Sequence, residues 1–464
     1  MFNKLKRTET QFAYFLLLFI ALQPVLDLLT SLSIQMLNVS ATAGIVVRLA
    51  VMLLATIYFF LQWQDRSLKK WIIYTLILGA TLAAGLINNM IMKDPFSFTE
   101  EVKFIAKSVY TIMMLFAYIF VFKTIQNKDE AYHKMLKYFL YASLFISFVM
   151  LVSIVTGTDY KSYPHSKLGS RGWFFSGNEL GAILAISFPV VVLYGIHKTT
   201  SFKKVYYWIP TILAMYASLM IGTKVGYGAV ILTLGVALFF SFIEYIMNRK
   251  KEGKGYVQLV NTVVSLVMFG GLIAITPLTP IAKNMGIHLQ IYEYKKSVRE
   301  EQAIKEGKPI EEDPEEEEKL ENGELTKGEV KSLIYSDRDR FLQVHKQYYE
   351  EAPVSQKLLG MGYASNYTKT PKMVEMDFHD LFFSYGAIGF FVYLLPFLYF
   401  AIRLLIRVFT NFTAILNAKY MLLASSLALA FGIGLTAGHV LTAPAVSIFF
   451  VVVLAYLIVD LKAE

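Results

Sequence analysis

Three groups of basic and polar residues in this sequence have the types and spacing of an anion-binding site. The first group spans residues 169–179 and contains Arg171 and Asn178 among glycine, serine and aromatic residues. A guanidinium presents a planar fork of donors that suits a phosphate group, and glycine allows the backbone to approach a ligand closely. The alternative for Arg171 is a side chain that reaches towards the membrane interface. Its polar neighbours favour the phosphate-binding role.

The second group is the short turn 222–226, which places Lys224 between two long apolar runs. Its two glycines indicate a tight turn, and Lys224 is either a phosphate contact or an anchor at the interface. Another basic pair, Lys103 and Lys107, is one helical turn apart and therefore shares a face. This pair is predicted to contact an anionic lipid head group, with a role as interfacial anchors equally open.

The third group lies at the end of the only long polar stretch. It contains Arg338 and Arg340, then a Gly-x-Gly turn at 360–362, and then His379 and Asp380. Because the pKa of histidine lies near neutral pH, His379 is a candidate general base or phosphate contact, unless it only caps a helix. Asp380 would orient His379 or favour the helix N-terminus by its charge.

Other charged residues and the absence of cysteine narrow the chemistry. Asp27 and Arg48 lie within the first two apolar runs and are predicted to form an ion pair rather than a catalytic site. His439, between the last two runs, is a lesser candidate for the site. The absence of cysteine excludes disulfides, thiolate metal ligands and a cysteine nucleophile. No metal site and no cofactor are predicted.

The composition indicates what kind of frame holds these residues. Of the 464 residues, 56% are hydrophobic and 17% are charged, and the mean hydropathy is +0.50. Soluble domains are typically about 45–50% apolar and about 25% charged. The sequence therefore predicts an integral membrane protein. The net charge of +9 does not indicate nucleic-acid binding, because basic residues of membrane proteins collect on cytoplasmic loops.

The apolar runs predict an all-α polytopic fold, because a membrane-crossing helix needs about 20 apolar residues. About twelve such runs occur, at 12–32, 42–62, 71–92, 104–123, 136–156, 179–196, 205–222, 225–247, 257–279, 380–402, 418–437 and 440–460. The first nine helices would occupy residues 1–280 and the last three residues 378–464. A large polar loop, residues 281–377, would connect these two groups of helices. Within the loop, the acidic stretch 299–331 lacks aromatic residues and is predicted to be disordered or loosely helical.

The distribution of lysine and arginine predicts the orientation. Alternate connections are rich in basic residues, such as Arg66, Lys69 and Lys70, whereas 33–41 and 438–441 contain none. Since basic residues mark cytoplasmic connections, both termini are predicted to be cytoplasmic and the large loop extracytoplasmic, in a multi-pass protein of the cytoplasmic membrane.

The three groups resemble motifs of the O-antigen ligase and polymerase family of bacterial envelope glycosyltransferases, including polymerases of the teichuronic acid or capsule type. The likeness covers roughly 165–235 and 335–395. Arg171 to Asn178 is similar to the family's Arg-x-x-Gly-x-x-x-x-Asn stretch, and the turn at Lys224 to its Ser-Arg-Gly turn. The end of the polar stretch is similar to the family's Arg, Gly-x-Gly, His-Asn and Gly-x-Ile-Gly series. Lys224 replaces the family's arginine and Asp380 its asparagine.

The resemblance implies an inverting, metal-independent transfer of a glycan from an undecaprenyl diphosphate-linked donor to a glycan or lipid acceptor. It implies that Arg171 and Arg338 hold the diphosphate with His379 as the third catalytic residue. Lys224, Arg340, Asn178, Asp380, Lys103 and Lys107 are the predicted substrate-binding residues. A flippase or exporter of lipid-linked oligosaccharide is the main alternative, and a peptidoglycan polymerase of the shape, elongation and division type is another.

Overall fold

The structure is a computed structural model. It describes residues 2–37, 43–61, 66–125, 127–163, 167–249, 254–305, 330, 333–336, 338–367 and 371–463. Within these ranges the regular structure is helical, apart from one isolated antiparallel bridge between Lys161 and Ser170. The predicted all-α fold is therefore confirmed.

The long helices follow the apolar runs of the sequence. They are α1 (Phe2–Leu37), α2 (Ala43–Leu61), α3 (Arg66–Met92), α4 (Phe98–Thr124), α5 (Lys128–Val155), α6 (Gly177–Lys198), α7 (Ile209–Met220), α8 (Lys224–Asn248), α9 (Lys254–Ile275) and α10 (Pro280–Lys305). The remainder are α11 (Arg338–Glu351), α12 (Val354–Leu359), α13 (Asp377–Thr410), α14 (Phe412–Ile415), α15 (Ala418–Thr436) and α16 (Pro444–Asp460).

Ten of the helices in the described residues are long and apolar enough to cross a membrane. They are α1 to α6, α8, α9, α13 and α15. Two of the predicted runs form shorter elements. The run 205–222 is divided between a 3-10 helix, Phe202–Trp208, and the 12-residue α7, and the last run forms α16 with 17 residues. The predicted count of about twelve spans is therefore not confirmed, since ten helices of the described residues meet the length and composition of a span.

The centre of the bundle contains α16, which packs against α4 and α6. Most side chains of α16 are buried, and they are apolar on all sides of the helix. A helix that is apolar on all sides is suited to a position surrounded by other helices, which is the position of α16 here. Large apolar side chains such as Leu53, Phe148 and Val267 face outwards on peripheral helices. Exposed apolar side chains of this size are suited to contact with lipid.

Helix α13 is broken at Gly386, and the break anchors the polar loop. Gly386 has φ 65° and ψ −177°, so the helix does not continue through it. The carbonyl of Ser384, just before the break, accepts a hydrogen bond from the N–H of Gly362 at 3.1 Å. Gly360 has φ 95°, and a Cβ there would lie 2.0 Å from the Ser384 oxygen. The Gly-x-Gly turn is therefore a packing element that only glycine can form at this distance.

A buried ion pair holds the same loop to α4. Glu101 lies 2.8 Å from the Lys93 ammonium and accepts a hydrogen bond from the backbone N–H of Tyr363 at 2.8 Å. The predicted pair of Asp27 and Arg48 is also confirmed, at 2.7 Å between α1 and α2. Pairing of this kind lowers the cost of placing charge within a bundle.

The acidic stretch 299–331 falls mostly outside the described residues. Its first part, 299–305, continues α10, and 306–329 and 331–332 are not described. The predicted domain limits, with the loop at 281–377 between two groups of helices, remain a prediction.

Candidate functional site

A cavity of about 390 Å³ lies at the end of the bundle that carries the polar loop. We call it the cationic cavity because four of the side chains that line it are basic and one is acidic. These are Lys167, Lys224, Arg338 and Lys372 against Glu375, with Asn178 and His439 also in the lining. Lys224 begins α8 and Arg338 begins α11, so both cations sit where helices start near the loop.

Asn284 of α10 brings the first two sequence groups together. Its side chain accepts a hydrogen bond from Leu168 N–H at 2.6 Å and donates to the Leu168 and Gly222 carbonyls at 2.6 and 2.9 Å. Gly222 has φ 76°, and a Cβ there would lie 2.5 Å from the Leu168 oxygen. The turn before Lys224 therefore packs closely against Leu168, which immediately precedes the first group. Asn178 of that group and Lys224 line the same cavity.

Arg338 and Lys224 differ in how their cationic groups are held. The Lys224 ammonium donates to the Leu333 carbonyl and to Ser336 Oγ, the latter at 3.2 Å. The Arg338 side chain is 15% exposed and its Nη2 lies 3.5 Å from Glu375 Oε2. Its Nε is buried and finds no acceptor among the described residues. A buried donor of this kind costs free energy unless a ligand supplies the acceptor.

A second cavity, of about 400 Å³, lies beside the first. We call it the acidic cavity because five carboxylates and two basic groups line it. These are Asp27, Glu179, Glu375, Asp377 and Asp380 with Arg48 and Lys107. Glu375 and His439 line both cavities, so these two residues form a shared wall.

Both residues of the shared wall have left-handed backbone conformations. Glu375 has φ 63° and His439 has φ 66°. Gly438, which precedes the histidine, has φ 67°, and a Cβ there would lie 2.7 Å from the Glu375 carbonyl oxygen. Non-glycine residues in this region cost roughly 1–3 kcal/mol each and cluster at functional sites. The strain therefore marks the wall as a site where side-chain position matters.

Asp377, at the start of α13, fixes the half of the wall that carries His439. Its buried carboxylate accepts hydrogen bonds from the N–H groups of His439, Val440 and Leu441 at 3.0, 2.7 and 2.8 Å. The Thr442 hydroxyl donates to it at 2.7 Å. Four donors on one carboxylate hold the connection between α15 and α16 in a single conformation.

Glu375 is surrounded by positive charge. Lys372 donates to its Oε1, and Arg338 lies near its Oε2. Burial raises the pKa of the Glu375 carboxyl, but the hydrogen bond and charge of Lys372 and the charges of His439 and Arg338 lower it by more. The net pKa lies below its ordinary value, so Glu375 is an anion at neutral pH.

The structure brings five of the nine predicted site residues to the two cavities. Asn178, Lys224 and Arg338 line the cationic cavity, and Lys107 and Asp380 line the acidic one. Arg171, Arg340, His379 and Lys103 line neither cavity. The substrate roles of all nine remain predictions.

Asp380 is held by backbone rather than by His379. Its buried carboxylate accepts hydrogen bonds from Val374 N–H at 2.8 Å and from Met376 N–H at 3.1 Å. These bonds fix the segment that carries Glu375. His379 is half-buried, and its Nδ1 has no hydrogen-bond partner within the described part of the chain.

Arg171 packs within its own loop. Its Nη1 donates to the Phe175 carbonyl, and its guanidinium lies 5.9 and 5.8 Å from the centroids of the Tyr160 and Phe175 rings. Burial lowers the pKa of the guanidinium. Phe175 lines the acidic cavity, so Arg171 contacts a lining residue of that cavity without lining it itself. Lys103 is exposed and lies 3.5 Å from Glu100, and Arg340 is also exposed.

Sequence reasoning did not single out Lys167, Lys372 and Glu375, which line the cavities, and His439, predicted as a lesser candidate, lines both. The only local signal was Lys372 and Glu375 three residues apart in the polar segment before α13. That spacing does not reveal that the segment meets the connection between α15 and α16.

The fold and the cavities define a polytopic membrane protein with a charged polar site at one end of its helical bundle. Residues 9–464 match the family described as O-antigen ligase like membrane protein, so the chain belongs to that family. The predicted resemblance is thereby confirmed. No curated protein matches the chain significantly. Membership indicates glycan ligation or polymerisation in a membrane, a glycosyltransferase-like activity on lipid-linked glycans.

Proposed function

We propose that this protein transfers a glycan from an undecaprenyl diphosphate-linked donor to a glycan or lipid acceptor at the outer face of the cytoplasmic membrane. The observation that carries the proposal is the cationic cavity, in which four basic side chains converge and the Arg338 Nε lacks an acceptor among the described residues. A diphosphate has the charge and the oxygen acceptors that this arrangement would bind.

The reaction requires stabilisation of the charge that develops on the leaving diphosphate. Cations already fixed in a site shielded from water provide this stabilisation without having to reorganise during the reaction. Arg338 would contact phosphate oxygens through its fork, and Lys224 would act as a point charge. With these charges supplied by side chains, the transfer is proposed to proceed without a metal. A single displacement of the diphosphate by the acceptor oxygen would invert the anomeric carbon.

The test is transfer by purified protein reconstituted into liposomes. The donor is lipid-linked glycan extracted from the host's membranes, and chelator is present throughout. We expect longer or newly ligated glycan together with released undecaprenyl diphosphate, and inverted anomeric configuration by NMR. Movement of intact lipid-linked glycan between leaflets without any new glycosidic bond would instead support a flippase.

The outer-face position gives a labelling prediction. The chain has no native cysteine, so Glu316→Cys introduces a single thiol into the polar loop. We expect an impermeant maleimide to label it in intact cells, because the distribution of basic residues favours an outer position for this loop. Lys203→Cys, in a connection predicted to be cytoplasmic, is the matched control and should react only after lysis. The reverse pattern would overturn the orientation.

The acidic stretch gives a second prediction. Replacing 306–329 with a short Gly/Ser linker should leave transfer within about twofold of the wild-type rate, because a segment of this composition buries too little apolar surface to form part of a packed site. The replacement keeps Leu333 and Ser336, which contact Lys224. Loss of transfer with normal expression would show that the stretch contributes to the site.

A further inference from the structure

Among the described residues, Glu375 is the one carboxylate that faces both cavities. It belongs to the lining of the cationic cavity and of the acidic cavity, and its backbone is strained at φ 63°. Asp377 and Asp380 also line the acidic cavity, but their oxygens accept backbone hydrogen bonds that fix neighbouring segments. Among the described residues, the ion pairs of the Glu375 carboxylate are instead with two cationic side chains, Lys372 and Arg338.

The two cavities differ in charge in a way that suits two different substrates. The cationic cavity matches the donor diphosphate. The acidic cavity, rich in carboxylates and flanked by aromatic side chains such as Phe175 and Tyr363, has the acceptors and flat apolar faces that bind sugar hydroxyls and sugar rings. A group on the wall between them would lie between the anomeric carbon of a donor and the hydroxyl of an acceptor.

We propose that the acidic cavity holds the acceptor glycan and that Glu375 is the catalytic base for transfer. This proposal rests on the proposed function. The acceptor oxygen forms a bond to the anomeric carbon, the bond from that carbon to the phosphate oxygen breaks, and its electron pair leaves with the diphosphate. The acceptor proton goes to the Glu375 carboxylate, and the protein supplies no other reactant.

Donor binding would also activate the base. In the absence of substrate, Arg338 and Lys372 engage the carboxylate and keep the pKa of Glu375 low, which makes it a weak base. A diphosphate in the cationic cavity would draw the same two cations to itself and add negative charge nearby. Both changes raise the pKa of Glu375 only when the donor is present, so that proton abstraction is coupled to a loaded site.

The other charged groups that face Glu375 act consistently with this coupling. His439 faces it from the connection between α15 and α16, and its charge also lowers the pKa of Glu375. On the acidic side, Asp377 and Asp380 are fixed by hydrogen bonds and Lys107 lies in the same cavity. The donor-dependent change is therefore assigned to Lys372 and Arg338, because these two cations form ion pairs with the carboxylate.

The experiment compares Glu375→Gln, Glu375→Asp, His379→Ala and Arg338→Ala with Glu351→Gln as the matched control. Glu351 is an exposed glutamate on α11 that lines neither cavity. Two quantities are measured in reconstituted protein: binding of undecaprenyl diphosphate itself, and the pH dependence of kcat and of kcat/KM for transfer from the extracted lipid-linked glycan.

We expect Glu375→Gln to lower kcat about 100-fold or more, the usual contribution of a general base. Binding of undecaprenyl diphosphate should become a few-fold tighter, because a competing anion has been removed from the cationic cavity. In the wild type, kcat should begin to fall at a higher pH than kcat/KM as the pH is lowered, because kcat reports the pKa of the base in the donor-bound enzyme and kcat/KM that in the free enzyme. Glu375→Gln should lose this fall at low pH, the acid limb of the profile. Glu375→Asp should keep the limb at reduced kcat.

The outcomes separate this inference from the proposed function. If Glu375→Gln keeps wild-type kcat, or weakens diphosphate binding as a purely structural role would, the base assignment is overturned. Loss of the acid limb in His379→Ala with its retention in Glu375→Gln would transfer the role to His379. If the wild type does not bind undecaprenyl diphosphate, or Arg338→Ala binds it unchanged, the proposed donor site itself fails.

Discussion

Arg338→Ala is expected to lower the rate of glycan transfer by about 100-fold or more, the cost of removing one preorganised donor from a charge-stabilising site. The Arg338 side chain is only 15% exposed and its Nε has no acceptor within the described chain, so its charge acts in a partly water-excluded cavity. Arg338→Lys should restore activity only in part, since it keeps the charge but loses the fork. The measurement is turnover in liposomes with chelator present.

The matched control is Lys346→Ala, which removes an exposed positive charge from the same helix α11 and should leave turnover near the wild-type value. Lys224→Arg should be tolerated, because it keeps the positive charge and supplies the arginine that the family resemblance predicts at this position of the cavity lining. Arg171→Ala should cost less than Arg338→Ala, since Arg171 packs on rings of its own loop. Wild-type turnover of Arg338→Ala would remove the donor site proposed here and favour the flippase.

Asp377→Asn is expected to cause the largest loss of stability. The change leaves one amide oxygen where a carboxylate now accepts three N–H bonds and one hydroxyl bond, and it points an N–H₂ group at buried donors. Each buried donor left without a partner costs about 1–3 kcal/mol, so the total is on the order of several kcal/mol. Transfer should fall as well, because the released connection carries His439 of the shared wall.

Thermal unfolding in detergent measures the first effect, and turnover at a temperature below the transition measures the second. Asp129→Asn is the control, since Asp129 is an exposed carboxylate in the first turn of α5 and its replacement should change Tm little. An unchanged Tm for Asp377→Asn would show that the carboxylate does not hold the connection between α15 and α16.

The glycine motifs show where reading the sequence was sufficient and where it was not. The pattern at 360–362 correctly marks a special backbone, since Gly360 and Gly362 both have positive φ. Its partner, however, is the break at Gly386 rather than a ligand, and the contact between Gly362 and Ser384 becomes visible only in the folded chain. A glycine requirement is local, but what approaches the glycine is determined by packing.

The sequence by itself determined that this is an all-α membrane protein of the O-antigen ligase-like family, and it predicted the ion pair of Asp27 and Arg48. Long apolar runs and charges within them are local signals whose meaning depends on the hydrocarbon environment and not on distant partners. Only the tertiary structure decided which cations line the same cavity and that Arg171 and His379 line neither cavity. It also decided that Glu375 and His439 form the wall between the two cavities. These contacts join segments far apart in sequence, and their geometry is fixed by side-chain hydrogen bonds such as those of Asn284 and Asp377. Periodicity and composition carry no information about such bonds, because both describe the chain only along its own length.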